Sequence, residues 1–146
     1  MGQFDYDTRL GVYAVLVDDR GRILLALWNE AREPRWTMPG GGVEFHESLA
    51  EALVREVQEE TGYEVEPGAL LGVDTTVIRA ADRFVPSNRD VKAVRVVYEA
   101  RITGGSLTHE LAGTTDEARW FPLGEVPSHR VGLVDIAIGF WRAQRA

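Results

Sequence analysis

"GGGVEFHESLAEALVREVQEETGY" spans Gly40–Tyr63, and its reading decides the fold. Ser48 followed three residues later by Glu51 has the form of a helix-opening capping box. Gly62 stands where a helix closes with a left-handed stop. The residues between are mostly good helix formers, so the spacing predicts a helix over 48–61. Pro39 and the three glycines that follow it, ahead of the helix, predict a turn. Such a turn lets backbone approach a ligand closely and face it with carbonyls or amides.

Near the end of this helix, Glu56, Glu59 and Glu60 fall within five consecutive positions. At about 100° per residue they share one stripe, with Glu60 about 40° to one side of Glu56 and Glu59 about 60° to the other. Leu49, Ala50, Leu53, Val54 and Val57 occupy the arc from about 20° to 160°, read as the buried face. Glu56 and Glu60 are therefore expected at the seam between helix and core. Carboxylates three and four residues apart repel by a few tenths of a kcal/mol per pair, and partial burial raises that cost. A cation among them makes the arrangement sensible. Oxygen donors without His or Cys favour a hard divalent ion, Mg²⁺ or Mn²⁺. Such an ion can bridge phosphate oxygens and lower the pKa of a bound water, and a nearby glutamate can take the proton. The alternative is a solvated acidic face, a common use of glutamate runs. The glycine turn immediately upstream tips the reading toward a ligand site.

Outward from the helix, "GVYAVLVDD" (Gly11–Asp19) and "RILLALW" (Arg22–Trp28) read as a hairpin of buried strands, followed by a charged loop, "NEAREPR". "ALLGVDTTVIRA" (Ala69–Ala80) reads as a strand with a break at Gly72. "DRFVPSNRD" is a polar loop, "VKAVRVVYEARI" (Val91–Ile102) a strand, "TGGS" a turn and "ARWFPL" (Ala118–Leu123) a short strand. "VGLVDIAIGFWRAQ" (Val131–Gln144) reads as a terminal helix. Strands, helix, strands, helix suits a mixed sheet with a helix packed on each face.

The 146 residues carry no linker or repeat, so one domain over 1–146 is expected. Net charge is −7, which gives no general attraction to nucleic-acid polymers or anionic membranes. A polyanionic substrate would need a local divalent metal or a few placed arginines. There are no cysteines, which excludes thiolate metal sites and cysteine nucleophiles. The N-terminus lacks an apolar run of signal-peptide length, and no stretch is apolar enough to span a bilayer. A cytoplasmic location is the expectation.

The central stretch resembles the Nudix box, G-x5-E-x7-R-E-U-x-E-E-x-G-U, where U is a bulky apolar residue. Here, over 41–63, it reads Gly41, Glu47, Arg55, Glu56, Val57, Glu59, Glu60, Gly62 and Tyr63. Tyr63 stands where an aliphatic residue is usual, a change expected to affect packing rather than chemistry. "RWTMPGGG" and "EARWFPL" also look like the family. The resemblance implies a single-domain α/β/α sandwich, with a mixed β-sheet between helices and the box as loop–helix–loop. It implies metal-dependent hydrolysis of a nucleoside diphosphate linked to another moiety, with Mg²⁺ or Mn²⁺ as cofactor. Glu56, Glu59 and Glu60 would be metal ligands, and the Gly40 carbonyl a further one. Glu56 is the position that serves as general base in some members; in others the base comes from a later loop. Glu47 and Arg55 would pair to hold the loop against the helix, the alternative for Arg55 being a surface pair with Glu51. A homodimer is a further expectation of the resemblance.

A further acidic ligand often precedes the last strand, and Glu110, Asp116 and Glu117 are candidates, with Glu117 chosen. Trp36 is a candidate for stacking on a nucleobase, its alternative being a core plug. Arg35, Arg83 and Arg89 are candidates for phosphate or sugar contacts. His46 and His109 are assigned no role. The downstream proline of many ADP-ribose hydrolases and the tyrosine of many diadenosine polyphosphate hydrolases are not found near Ile78 and Arg79. A coenzyme A signature upstream of the box is not apparent either. The catalytic cysteine of isopentenyl diphosphate isomerase is absent. Nucleoside triphosphates and nucleotide sugars are left as expected substrates. The competing expectation is a regulatory module of the same fold that binds a nucleotide without cleaving it.

Overall fold

The computed structural model describes residues 5–29, 33–108 and 115–146; the side chains of Thr115 and Asp116 lie outside the description. Seven strands and two α-helices, besides two single-turn 3-10 helices, are described: β1 (Asp7–Val15), β2 (Arg22–Trp28), β3 (Arg35–Thr37), β4 (Gly40–Gly42), α1 (Leu49–Thr61), β5 (Tyr63–Ile78), β6 (Val91–Gly105), β7 (Thr115–Pro122) and α2 (Gly132–Ala143). One sheet has the order β4-β1-β6-β5 and the other β3-β2-β7. The first is mixed, because β1 runs parallel to β6 while its other pairs are antiparallel.

Strand alternation distributes the core to the two helices. Val12, Ala14, Leu16, Leu24 and Val96 pack with Ala52, Leu53 and Val57 of α1. The neighbouring positions Val15, Ile23, Leu25 and Val97 pack with Leu133, Val134, Ala137 and Ile138 of α2. The strands thus bury both faces, one against each helix, which is the expected α/β/α sandwich.

The boundaries of α1 follow from its caps. The Ser48 hydroxyl accepts from the Glu51 N–H, the Glu51 carboxylate accepts from the Ser48 N–H, and Gly62 closes the helix at φ 84°. The buried arc differs from the expected one. Ala50 is exposed, whereas Ala52, Leu53, Val57, Glu60 and Thr61 are buried. The helix is rotated so that Glu60 lies inside the arc rather than at its seam.

Other expectations need correction. β1 begins at Asp7 and ends at Val15, and it does not form a hairpin ladder with β2. The turn between them exists: Val17 bridges Ile23, and the Asp18 carboxylate accepts from the N–H groups of Arg20 and Arg22. Beyond it the strands part, because both edges of each are already taken, β1 by β4 and β6, β2 by β3 and β7. The stretch expected as a turn at Thr103–Ser106 stays in β6 through Gly105. At Gly72 the β5–β6 register shifts, and an added Cβ would lie 2.7 Å from the Phe140 ring, so glycine lets α2 approach there.

Candidate active site

The glycine turn and α1 meet at one point. β4 lies antiparallel on β1, pairing Gly40 with Tyr13 and Gly41 with Val12. Gly40 has φ 145°, and a Cβ there would stand 2.1 Å from the Val12 carbonyl oxygen. A Cβ on Gly41 would stand 2.7 Å from the Glu56 carboxyl group. The run of glycines is therefore what lets carboxylates of α1 reach the backbone of β4.

Glu60 is 6% exposed, and its Oε2 accepts from the Gly40 N–H at 3.2 Å. Glu56 is also largely buried, and burial pushes its carboxyl above the usual range against the opposing pull of Arg55. Glu59, the outermost of the three, is half exposed.

Arg55 ties the surrounding acids together. Its Nε and Nη2 donate to the two oxygens of Glu47 at 2.5 and 2.7 Å, and Nη2 also donates to the Gly42 carbonyl at 3.1 Å. Its Nη1 donates to Glu56 at 3.0 Å and to Glu59 at 3.3 Å. Glu51 is engaged in the capping box, and Glu47 takes the guanidinium instead. The Arg55 guanidinium, with the Glu44 N–H, holds the Glu47 carboxyl down at about 2. The same carboxylate raises the Arg55 pKa. One planar five-donor group thus fixes the loop, the glycine strand and the helix to each other.

Among the described residues, no three acidic or histidine side chains converge on one point at metal-binding distance. The donor chemistry nevertheless fits a hard divalent cation. Glu56 and Glu60 are acid oxygens withdrawn from water beside a glycine strand that supplies carbonyl oxygens. Glu59 is drawn toward Arg55, and its half-exposed side chain has three torsions by which to turn back along the stripe.

Beside Glu60 and the glycine strand lies a cavity of about 300 Å³, whose lining includes Arg9, Tyr13, Trp28 and Arg95. Arg95 is held by Asp74 across the β5–β6 ladder. Arg9 makes no ion pair among the described residues. Burial, then the neighbouring Glu60 charge, raises the Tyr13 phenol pKa. Phe84 meets the Trp28 ring edge-on at 5.4 Å. A larger cavity of about 600 Å³ lies at the other end of β1, around Leu16–Asp18. Its charged residues are taken up in the pairs Asp18–Arg22, Glu66–Arg101 and Glu99–Arg145, and no glutamate of the α1 stripe lines it.

The four residues expected to contact substrate are not in the cavity lining. Trp36 packs edge-on against Phe121 at 4.8 Å in the α2-side core, and its backbone N–H donates to the His129 carbonyl at 2.8 Å. Arg35 lies 5.9 Å from the Trp28 ring centroid. Arg83 and Arg89 both donate to the Asp7 carboxylate at 2.8 Å. Glu117 pairs with Leu27 on β7 and is bound by Arg119. Glu110, His109 and the Asp116 side chain lie outside the described residues. Sequence reasoning missed Arg9, Tyr13, Trp28 and Arg95. The available signal was the alternation Arg9, Gly11, Tyr13 on one face of a strand, where a small residue between two long polar ones leaves a hollow.

A family model described as NUDIX domain matches residues 7–137. The chain is 35% identical over 121 residues to 8-oxo-dGDP phosphatase NUDT18 of Homo sapiens, covering 80% of this chain and 33% of that protein. It is 28% identical to an ADP-ribose pyrophosphatase of Methanocaldococcus jannaschii, covering 81% of this chain and 64% of that one. The crystal structure of a MutT NUDIX hydrolase from Burkholderia pseudomallei superposes with a TM-score of 0.74 at 29% identity, covering 91% of this chain and 97% of that one. The chain spans about a third of the length of the human relative.

Proposed function

The chain belongs to the NUDIX domain family, and from that premise we propose that it is a divalent-cation-dependent hydrolase of a phosphoanhydride bond in a nucleoside diphosphate linked to another moiety. The observation that carries this reading is the placement of a buried carboxylate, Glu60, and a largely buried one, Glu56, against a glycine strand, with Glu60 lining a cavity that also includes Arg9, which makes no ion pair among the described residues.

Glu56, Glu59 and Glu60, with the Gly40 carbonyl, would hold Mg²⁺ or Mn²⁺. When bound, such an ion neutralises phosphate charge and makes a coordinated water more acidic. Glu56 would accept the proton, as that position does in some members of the family; in this structure burial raises its carboxyl pKa against the opposing pull of Arg55. Arg55 and Glu47 act as positioning residues, holding the Glu56 carboxylate over Gly41. Glu60 is oriented by the Gly40 N–H. In the cavity, Trp28 offers a flat apolar wall to a base and Arg9 a cation to a phosphate.

Nucleoside triphosphates and nucleotide sugars are the substrate classes proposed from the sequence. The relatives' names add oxidised purine nucleoside diphosphates and ADP-ribose to the panel. The test is a hydrolysis screen of these four classes with Mg²⁺ and with Mn²⁺, reading released phosphate, pyrophosphate and nucleoside monophosphate. Cleavage of at least one class, lost in Glu60→Gln at unchanged melting temperature, supports the reading. Binding of nucleotides with cleavage of none overturns it.

A further inference from the structure

We propose that Tyr13, Arg95 and Arg9 together bind a terminal phosphate, and that they select a nucleoside triphosphate over a nucleotide sugar. This selection rests on the hydrolase reading above and concerns the end of the substrate away from the cation.

Strand register builds the cradle. One row across the sheet runs Gly42, Gly11, Arg95 and Asp74, on β4, β1, β6 and β5. Arg9, Gly11 and Tyr13 alternate onto one face of β1. Gly11 leaves a gap on that face, and the Tyr13 ring bends back into it: a Cβ on Gly11 would stand 3.0 Å from the Tyr13 hydroxyl oxygen. The hydroxyl therefore sits over Gly11, with Arg9 two positions along β1 and Arg95 on the next strand. All three side chains line the cavity that Glu60 also lines.

Their donors point to a missing acceptor. Among the described residues the Tyr13 hydroxyl makes no hydrogen bond and Arg9 no ion pair. Arg95 gives its Nε and Nη2 to one oxygen of Asp74, and Nη1 has no partner among the described residues. Asp74 is thus a positioning residue, holding a largely buried guanidinium with one arm toward the cavity.

The cavity has two ends of opposite sign. Carboxylates of α1 stand at the β4 edge, and the donors converge toward β6, two strand spacings or about 10 Å away. Two guanidiniums and a phenol donate, and bonds to an ionised acceptor are roughly twice as strong as neutral ones. The terminal phosphate of a triphosphate is ionised and rich in acceptors. The sugar of a nucleotide sugar is neutral, brings donors of its own and would leave Arg9 without a counter-charge.

The experiment compares GTP with GDP-mannose, which share a base, on the wild type, Tyr13→Phe and Arg95→Lys with Mg²⁺. The wild type should favour GTP in kcat/KM. Tyr13→Phe removes one oxygen that has no partner in the fold. Its melting temperature should hold while KM for GTP rises roughly 10- to 150-fold, the loss of a hydrogen bond to a charged group, with kcat changed less. Arg95→Lys keeps the charge beside Asp74 but loses the second arm, and it should lower the preference for GTP as well. Equal kcat/KM for the two substrates in the wild type, or a preference unchanged in both variants, overturns the proposal. So does an effect on GTP against ATP in place of GTP against GDP-mannose, which would make these side chains readers of the base. If the wild type hydrolyses no nucleotide, the hydrolase reading fails and calorimetric binding of methylene-bridged GTP with Mg²⁺ decides the cradle by itself. Binding weakened by the same factor in Tyr13→Phe supports it, and equal affinity in wild type and variant overturns it.

Discussion

Glu60 is the residue on which the site turns. A glutamate enclosed to this degree must have partners, and the Gly40 N–H is one of them. Glu60→Gln keeps an acceptor for that N–H but removes the charge, so turnover should be abolished while the melting temperature holds; phosphate release and thermal melting on the same sample check this. Glu56→Gln should slow turnover by roughly 100- to 10,000-fold, the usual loss when a proton acceptor is removed. Gly40→Ala belongs to the same scale. It forces a side chain into a backbone conformation reserved for glycine and drives Cβ into the Val12 carbonyl. Strain of about 1–3 kcal/mol, increased by the clash, should appear as a lower denaturant midpoint. The glutamate stripe was legible in the sequence because three- and four-residue spacing alone sets it on one helix face. That Glu60 is enclosed was not, since the exposure of Ala50 and burial of Ala52 depend on which strands the helix meets. That Trp28 shares the Arg9 cavity was illegible for a related reason: the two residues come from strands of different sheets.

At the scale of elements, α1 is fixed by its own ends and by Arg55. The capping box and Gly62 were readable because they are local. The choice of Glu47 over Glu51 as the Arg55 partner was expected from the family resemblance but not from spacing alone, because it depends on Ser48 occupying Glu51 first. Arg55→Lys keeps the charge but replaces a five-donor fork by a point charge, which cannot bridge Glu47, Gly42, Glu56 and Glu59 together. Both melting temperature and kcat should fall, with KM affected less, in steady-state kinetics. The segment after β5 is fastened differently. Arg83 first, and Arg89 with it, lower the Asp7 pKa by hydrogen bonding to its carboxylate. A carboxylate held below its ordinary value of 3.8 contributes fully above that value, and its contribution is lost as pH falls through the lowered one. Acidification should therefore release the 82–90 loop and move Phe84 from Trp28. The Trp28 indole resonance should report a transition below the ordinary aspartate range, and Asp7→Asn should show the released position at every pH.

The whole molecule is a layered device in which two sheets and two helices bring a glycine strand, a helix stripe and a hollow on β1 to one place. The order of elements announced the layers, since alternating strands and helices can bury both faces only in this way. The division of the strands into two sheets was hidden, because a β1–β2 turn looks the same whether or not its strands remain paired. Trp36 shows the same limit: its neighbour in sequence is the glycine turn, but its neighbour in space is Phe121. Trp28 is the aromatic residue on the cavity wall. Trp28→Ala should raise KM roughly 5- to 150-fold with a smaller change in kcat, corresponding to about 1–3 kcal/mol of lost base stacking. Trp36→Phe should leave KM unchanged. The most direct measurement is anomalous diffraction from crystals soaked in Mn²⁺ with a non-hydrolysable nucleotide. Manganese is expected among the carboxylates of Glu56, Glu59 and Glu60, beside the Gly40 carbonyl and in contact with the nucleotide's phosphates. A nucleotide seated in the cavity with no manganese against those glutamates would contradict it.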